Sequence, residues 1–394
     1  MTETIAGVPS LGEALAAAEE STGLRDWGGD GSWRPGLGEV LAAARADPQP
    51  AVRQMVTAEV ARLLAIRLRL ADDEAAHPEI TAAPIDRPLV IVGFPRTGTT
   101  YLHELLTLDP ATRAPLAWES RTPWPAPDVA TYACDPRIAA TQARYDAMLA
   151  TRPEFRTMHA FGARLPAECH EIMMLHFASA NFWHRFGLSS YAAWFAAARH
   201  SGKYRTHQRV LQELQWKGPR GRWTLKSPEH LFDLAELLET YPNACLVQTH
   251  RDPATAMASL ARLIYANQAM YIPRADPREV GAVVRALWGT AFERAVADRS
   301  LPGVDGAVLD VAYRDLVARP ADTVRAIYER FGLPYTNEFH RALTGHLERQ
   351  RSGHGDGGGR EQVRDDSDYG LTARDLAGAF PGYRERFSRF LEQP

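Results

Sequence analysis

The chain has 394 residues, 45% of them apolar and 24% charged, which suits a soluble globular protein of one large or two smaller domains. Its net charge of −3 argues against a general binder of nucleic acid or membrane surfaces. Cys134, Cys169 and Cys245 are odd in number and widely separated, which excludes a disulfide framework or a cysteine metal site and makes a reducing compartment the expectation.

Met1–Ala18 lacks a basic stretch followed by an apolar core, so no signal peptide is expected and the location is read as cytoplasmic. Residues 1–85 read as a helical N-terminal extension. Leu37–Ala44 and Ala51–Leu70 carry apolar residues at helical spacing, among them Val52, Met55, Val56, Val60, Leu63 and Leu64. After the proline-punctuated Pro78–Pro88, Leu89–Val92 is apolar throughout, the pattern of a parallel strand buried on both faces. A loop over Gly93–Gly98 and a helix over Thr99–Leu108 follow, ended by Asp109-Pro110.

The middle of the chain, about 120–216, predicts a helical substrate-binding insertion or lid, with helices over Pro136–Thr151, Pro166–Phe177 and Ser190–Ala198. It is rich in Trp, Phe, His and Met, which suits the lining of an apolar pocket. Strands over Trp223–Leu225, Ala244–Thr249 and Ala307–Val311 then alternate with helices over Pro228–Tyr241, Pro253–Asn267 and Pro320–Phe331. The alternation predicts an α/β domain over 86–394, with a parallel sheet flanked by helices. Gly353–Gly359 predicts a mobile loop. No internal repeat is visible.

The chemistry concentrates in Leu89-Val-Ile-Val-Gly93-Phe-Pro-Arg96-Thr-Gly98-Thr99-Thr100-Tyr-Leu-His. Glycines let backbone N–H groups turn toward one point, and the helix behind them aims its positive end there. Arg96 adds a charge, and Thr97, Thr99 and Thr100 add hydroxyls. Gly93, Gly98 and Thr100 fit the Walker A spacing, but Thr99 stands where its lysine belongs, which disfavours an ordinary ATPase.

This loop resembles the phosphosulfate-binding loop of sulfotransferases, a strand followed by Pro-(Arg/Lys)-(Ser/Thr)-Gly-Thr-Thr. The closest resemblance is to the bacterial family related to tyrosylprotein sulfotransferases, and it runs from about Leu89 to Phe390. It implies a P-loop NTPase-like fold and 3′-phosphoadenosine-5′-phosphosulfate (PAPS) as sulfuryl donor, held by Arg96, Thr97, Gly98, Thr99 and Thr100, without a metal. Arg251 and Ser259, in Val247-Gln-Thr-His-Arg251-Asp-Pro253-Ala-Thr-Ala-Met-Ala-Ser259, resemble the family's grip on the donor's 3′-phosphate. Tyr313, in Ala312-Tyr-Arg-Asp-Leu316, resembles a position near the adenosine phosphate. Gln350-Arg351-Ser352-Gly353-His354 resembles the basic loop over the nucleotide, with Arg351 the chosen contact, and Tyr369-Gly370-Leu371 matches the next landmark.

Sulfuryl transfer needs a base for the acceptor proton, cations for the leaving oxygen and in-line placement. Arg96 and Lys226 are the cation candidates; Lys226, in Trp223-Thr-Leu-Lys226-Ser-Pro-Glu-His230, resembles the family's strand–lysine element. Glu119, beside Trp118, stands where the tyrosylprotein enzymes carry a catalytic glutamate, and His230 is the second candidate base. His159 and Glu168 come third, or orient the acceptor. His170 and His176 are six apart and share no helix face cleanly, which counts against a metal site with Glu171.

The implied activity is sulfation of a hydroxyl on a small, apolar acceptor, with no nucleic-acid partner and no membrane insertion; oligomeric state is not readable. A P-loop kinase and a non-catalytic nucleotide-binding protein are the rival readings.

Overall fold

The structure is a computed structural model that describes residues 7–151, 153, 160–269, 272, 275–352, 366–372, 374–376 and 378–391. Three helices come first: α1 (Leu11–Thr22), α2 (Arg34–Ala46) and α3 (Pro50–Ala76), with the short α4 (Glu79–Ala82) behind them. Ser10 and Glu13 exchange side-chain and backbone hydrogen bonds at 2.7 and 3.2 Å, a reciprocal cap that starts α1 where the extended Ser10 hands over to helix.

The strands are β1 (Leu89–Gly93), β2 (Thr112–Arg113), β3 (Arg222–Lys226), β4 (Cys245–His250) and β5 (Val308–Ala312). Among the described residues they form one parallel sheet in the order β2-β3-β1-β4-β5. The apolar run of β1 hides a two-residue alternation. Leu89 and Ile91 pack on one face with Leu102, Leu105 and Ile327, and Val90 and Val92 on the other with Leu63, Phe177 and Trp288. Both faces are covered, so every position is apolar.

The first face carries α5 (Thr99–Leu106), α16 (Pro320–Phe331) and α17 (Asn337–Ser352). The second carries α1 to α3 together with α8 (His170–Met173), α9 (Asn181–Phe186), α10 (Ser189–Ala197), α11 (Lys203–Trp216), α13 (Pro253–Gln268) and α14 (Pro277–Arg299). Between β2 and α8 stand α6 (Ala117–Arg121) and α7 (Pro136–Thr151); α12 (Leu234–Thr240) precedes β4, α15 (Tyr313–Ala318) follows β5, and α18 (Pro381–Arg386) lies near the C-terminus.

Two predicted helices are corrected. Pro166–Phe177 is not continuous: Pro166 bridges to Leu116 as extended chain, α8 covers only His170–Met173, and Phe177 turns at φ 55°. Pro228–Tyr241 is split at Asp233, whose φ of −152° interrupts the helix because its carboxylate is drawn to Lys203 Nζ, 2.6 Å away in the core. The aromatic middle also has a different use. Phe177, Phe182, Trp183 and Phe195 are buried in the main core, so that composition fills the interior instead of lining an apolar cavity. The expected loop over Gly353–Gly359 lies outside the described residues. No described helix is long and apolar enough to cross a membrane.

Candidate active site at the carboxyl edge of the sheet

The register sets the site. Gly93 pairs with Thr249, Ile91 with Lys226 and His250 with Ala312. The segments leaving β1, β3, β4 and β5 therefore emerge at one edge, where open parallel sheets place ligands.

The loop after β1 is tightly held. A Cβ on Gly93 (φ 146°) would stand 2.3 Å from Thr249 Oγ1, and one on Gly98 (φ 86°) would meet Tyr313 and Leu316 at 3.0 Å. Both positions need glycine for their backbone angle and for space. Phe94 is buried and stacks on Phe292 at 4.9 Å, which pins the loop to the core. Thr97 departs from expectation. Its buried hydroxyl donates to Phe94 O at 2.6 Å and lies 2.6 Å from Thr249 Oγ1, so it braces the loop and is not a spare donor for a ligand. Arg96 stands exposed at φ 70°. Helix α5 begins at Thr99 with no side-chain cap, leaving its first N–H groups for an oxyanion.

The element after β4 is tied to this loop. Arg96 Nε donates to Ser259 Oγ at 3.0 Å, and Arg251 Nη1 donates to Arg96 O at 3.2 Å. The Arg251 guanidinium lies over the Tyr313 ring at 4.3 Å. Asp252 accepts from Ala254 and Thr255 N–H at 2.9 and 3.1 Å, capping α13 beside Pro253 and fixing where Arg251 leaves the strand. His250 is held from behind by Tyr383 and Asp310, at 2.7 and 2.8 Å. Arg351 is exposed at the end of α17. Its charge reaches Tyr101 on α5, where it opposes the upward push that burial gives the phenol.

Lys226 closes the site from the β3 side. Its Nζ donates to Thr100 Oγ1 at 3.2 Å and is ion-paired with Glu168. The pairing is built by the backbone: Cys169 N–H donates to Lys226 O at 2.9 Å, laying the Glu168 segment beside the end of β3. The other Glu168 oxygen meets His170 Nδ1 at 3.1 Å. Burial pushes the Glu168 carboxyl up, but Lys226 and His170 outweigh it and hold the pKa well below the usual range. Burial works against a charged His170, and Glu168 wins, raising its pKa.

The two leading base candidates are corrected. Glu119 is fully buried, and both its oxygens are engaged, by Arg113 Nη2 at 2.5 Å and Leu116 N–H at 2.9 Å. These bonds anchor α6 and leave neither oxygen unengaged in the unliganded site. His230 is buried, with Nδ1 2.9 Å from the Tyr204 hydroxyl; burial, then His207 and Lys203, force its pKa well below normal. His159 lies outside the described residues. Sequence reasoning missed the pairing of Glu168 with His170 and Lys226. The one readable signal is the two-residue spacing of Glu168 and His170. Among the described residues no group of three or more His, Cys, Asp or Glu is arranged to hold a metal ion.

A parallel sheet whose first strand runs through a glycine-held loop into an uncapped helix start, without a Walker lysine, has the layout of a P-loop-like group transferase. Residues 88–337 match the Sulfotransferase family, and the chain belongs to it. It is similar to the crystal structures of sulfotransferase STF9 from Mycobacterium avium (29% identity, TM-score 0.85, 98% of each chain covered) and sulfotransferase STF1 from Mycobacterium tuberculosis (30% identity, TM-score 0.80, 94% of this chain and 99% of that one). It is also 25% identical over 276 residues to the omega-hydroxy-beta-dihydromenaquinone-9 sulfotransferase Stf3 of Mycobacterium bovis. That match spans 63% of this chain and 63% of the relative.

Proposed function

We propose that the chain transfers a sulfuryl group from PAPS to a hydroxyl of a small molecule with an apolar body. The observation that carries this reading is the coupling of two cationic elements: Arg96 in the loop is bonded to Ser259 and buttressed by Arg251. A second cationic element is what separates a 3′-phosphorylated nucleotide from ATP. The loop N–H groups and Thr100 would hold the phosphosulfate, and Arg251, Ser259, Tyr313 and Arg351 the 3′-phosphoadenosine end. The relative named for a hydroxylated dihydromenaquinone supports a hydroxyl on an apolar body.

The residues supply a route. The acceptor oxygen attacks sulfur in line as the bond from sulfur to the 5′-phosphate oxygen breaks, and 3′,5′-ADP leaves. Lys226 and Arg96 stabilise the charge gathering on that bridging oxygen. Glu168 takes the acceptor proton. In the unliganded site Lys226 and His170 hold Glu168 ionised; when Lys226 turns to the donor, only His170 still opposes the burial that favours protonation. Donor binding thus prepares the base.

Isothermal titration tests the reading. Tight 3′,5′-ADP binding without Mg²⁺, followed by sulfation within an acceptor library using labelled PAPS, is the expected result. Binding of Mg-ATP alone would favour a kinase and overturn it.

A further inference from the structure

Arg67, on α3, has no part in the proposed reaction and is only 9% exposed. Its guanidinium lies over the Trp33 ring at 4.3 Å, and its Nη1 donates to Leu175 O at 2.7 Å. Among the described residues its buried Nε meets no acceptor. Burial first, then the charges of Arg209 and Arg34, push its pKa down to about 9, which leaves it charged at neutral pH. Asp30, whose charge supports it, is 56% exposed and stands 2.6 Å from Arg205. Arg67 is thus a buried cation without a carboxylate of its own among the described residues. Such a charge is costly unless it is paired. A ring face returns part of that cost, but it offers no acceptor to Nε.

Arg67 lines a cavity of about 40 Å³ where α3 meets α11. That is close to the roughly 30 Å³ that one water occupies in the liquid. Arg209, Thr206, Glu213 and Glu74 share the lining. Glu74 is taken by Arg209 Nη2 at 2.9 Å. The Thr206 hydroxyl is 2.9 Å from His176 Nδ1. Glu213, pushed up to about 8 by burial and then by Asp73, keeps its proton at neutral pH. Gln212 Nε2 donates to Thr81 O at 2.8 Å and to Ala83 O at 2.9 Å, so α11 is fixed against the turn after α3 and the cavity keeps its shape. The lining therefore offers guanidinium, hydroxyl and carboxylic-acid hydrogens around a space the size of one small ion. A water there would satisfy a hydrogen bond and leave the charge. An anion satisfies both.

We propose that this cavity binds a single halide-sized anion, chloride in ordinary solution, which neutralises Arg67 and joins α3 to α11. The site stands apart from the sulfotransferase reading and does not depend on it.

Melting curves of the full chain test the proposal. The protein is held in sodium gluconate, whose anion is too large for the cavity, and chloride or bromide is exchanged in at constant ionic strength. Expected is a Tm that climbs by about 2–4 °C between about 1 and 100 mM halide and then levels off. R67M keeps the length and the apolar stem of the side chain, removes the charge, and should melt at one temperature throughout the exchange. Crystals of the wild type grown in bromide supply a readout that does not need the variant: one anomalous peak within hydrogen-bond distance of the Arg67 guanidinium. Several outcomes overturn the proposal. They are a wild-type Tm indifferent to the exchange, a halide response that R67M retains, and a cavity that holds water with no anomalous signal. A bromide peak without any Tm response overturns it as well, as binding at crystal concentration only.

Discussion

Arg96 Nε donates to Ser259 Oγ at 3.0 Å across 163 positions of sequence, and this bond ties the loop after β1 to the element after β4. Arg251 adds to it through Arg96 O. If these groups read a 3′-phosphate, R251A weakens 3′,5′-ADP binding about thirtyfold, the loss of one strong charge-assisted contact, while binding of 5′-ADP changes little. S259A, removing a neutral hydroxyl, costs about fivefold. Titration calorimetry with the two nucleotides checks the difference; equal losses for both would assign Arg251 to general loop support.

Glu168 is the carboxylate that meets Lys226 at the loop, so E168Q is expected to lower kcat by about 10²–10³ while 3′,5′-ADP affinity stays within a fewfold. Stability should respond to pH as well. The Glu168 pKa is depressed in the folded protein from an ordinary 4.5, so its ion pair contributes above that value and is lost as pH falls through the folded pKa. The Tm gap between wild type and E168Q therefore narrows in acid. A variant with full turnover would remove the assignment of the base.

Glu119 makes the converse case. Arg113 is 5% exposed, donates to Leu214 and Pro219 carbonyls at 2.8 Å and lies over Trp223 at 4.5 Å, so it cannot turn to water once its carboxylate is gone. E119Q should cost about 3 kcal/mol of stability and leave kcat within a fewfold at a temperature where the variant is folded. Denaturant melts and turnover measured on one preparation separate the two effects.

The contrast between these two glutamates shows what the chain discloses before it folds. The buried run of β1, the glycine spacing and Arg251 at a strand end were legible because each is local: periodicity, backbone angle and a neighbouring Asp-Pro. Glu168 was not singled out as the base because its meaning depends on Lys226, 58 positions away, and on the hydrogen bond from Cys169 N–H to Lys226 O that joins them. Glu119 misled for the same reason, since its neighbour Trp118 was visible and its pairing with Arg113 was not. The aromatic segment was ambiguous in principle, as a buried core and a pocket lining share one composition.

A last prediction concerns Glu213 on α11, which has no part in the proposed reaction. It is 2% exposed, one of its oxygens has no partner, and it faces Asp73 of α3. Burial, then the Asp73 charge, push its pKa up to about 8, with Lys217 opposing weakly. A carboxyl raised in the folded state keeps a proton that the unfolded chain gives up above about 4.5. Between those two values the folded protein binds more protons than the unfolded one, so stability falls as pH rises through that window. Above it the penalty is complete, on the order of 5 kcal/mol. E213Q carries no proton to lose. It should match the wild type near pH 5, and its Tm should exceed the wild type's by a growing margin up to pH 9. The α3–α11 contact would then be a place where the packing of the N-terminal helices loosens as pH rises. Parallel melting curves of the two proteins from pH 5 to 9 decide it, and a margin that does not change with pH would show that Glu213 keeps its charge in the folded state.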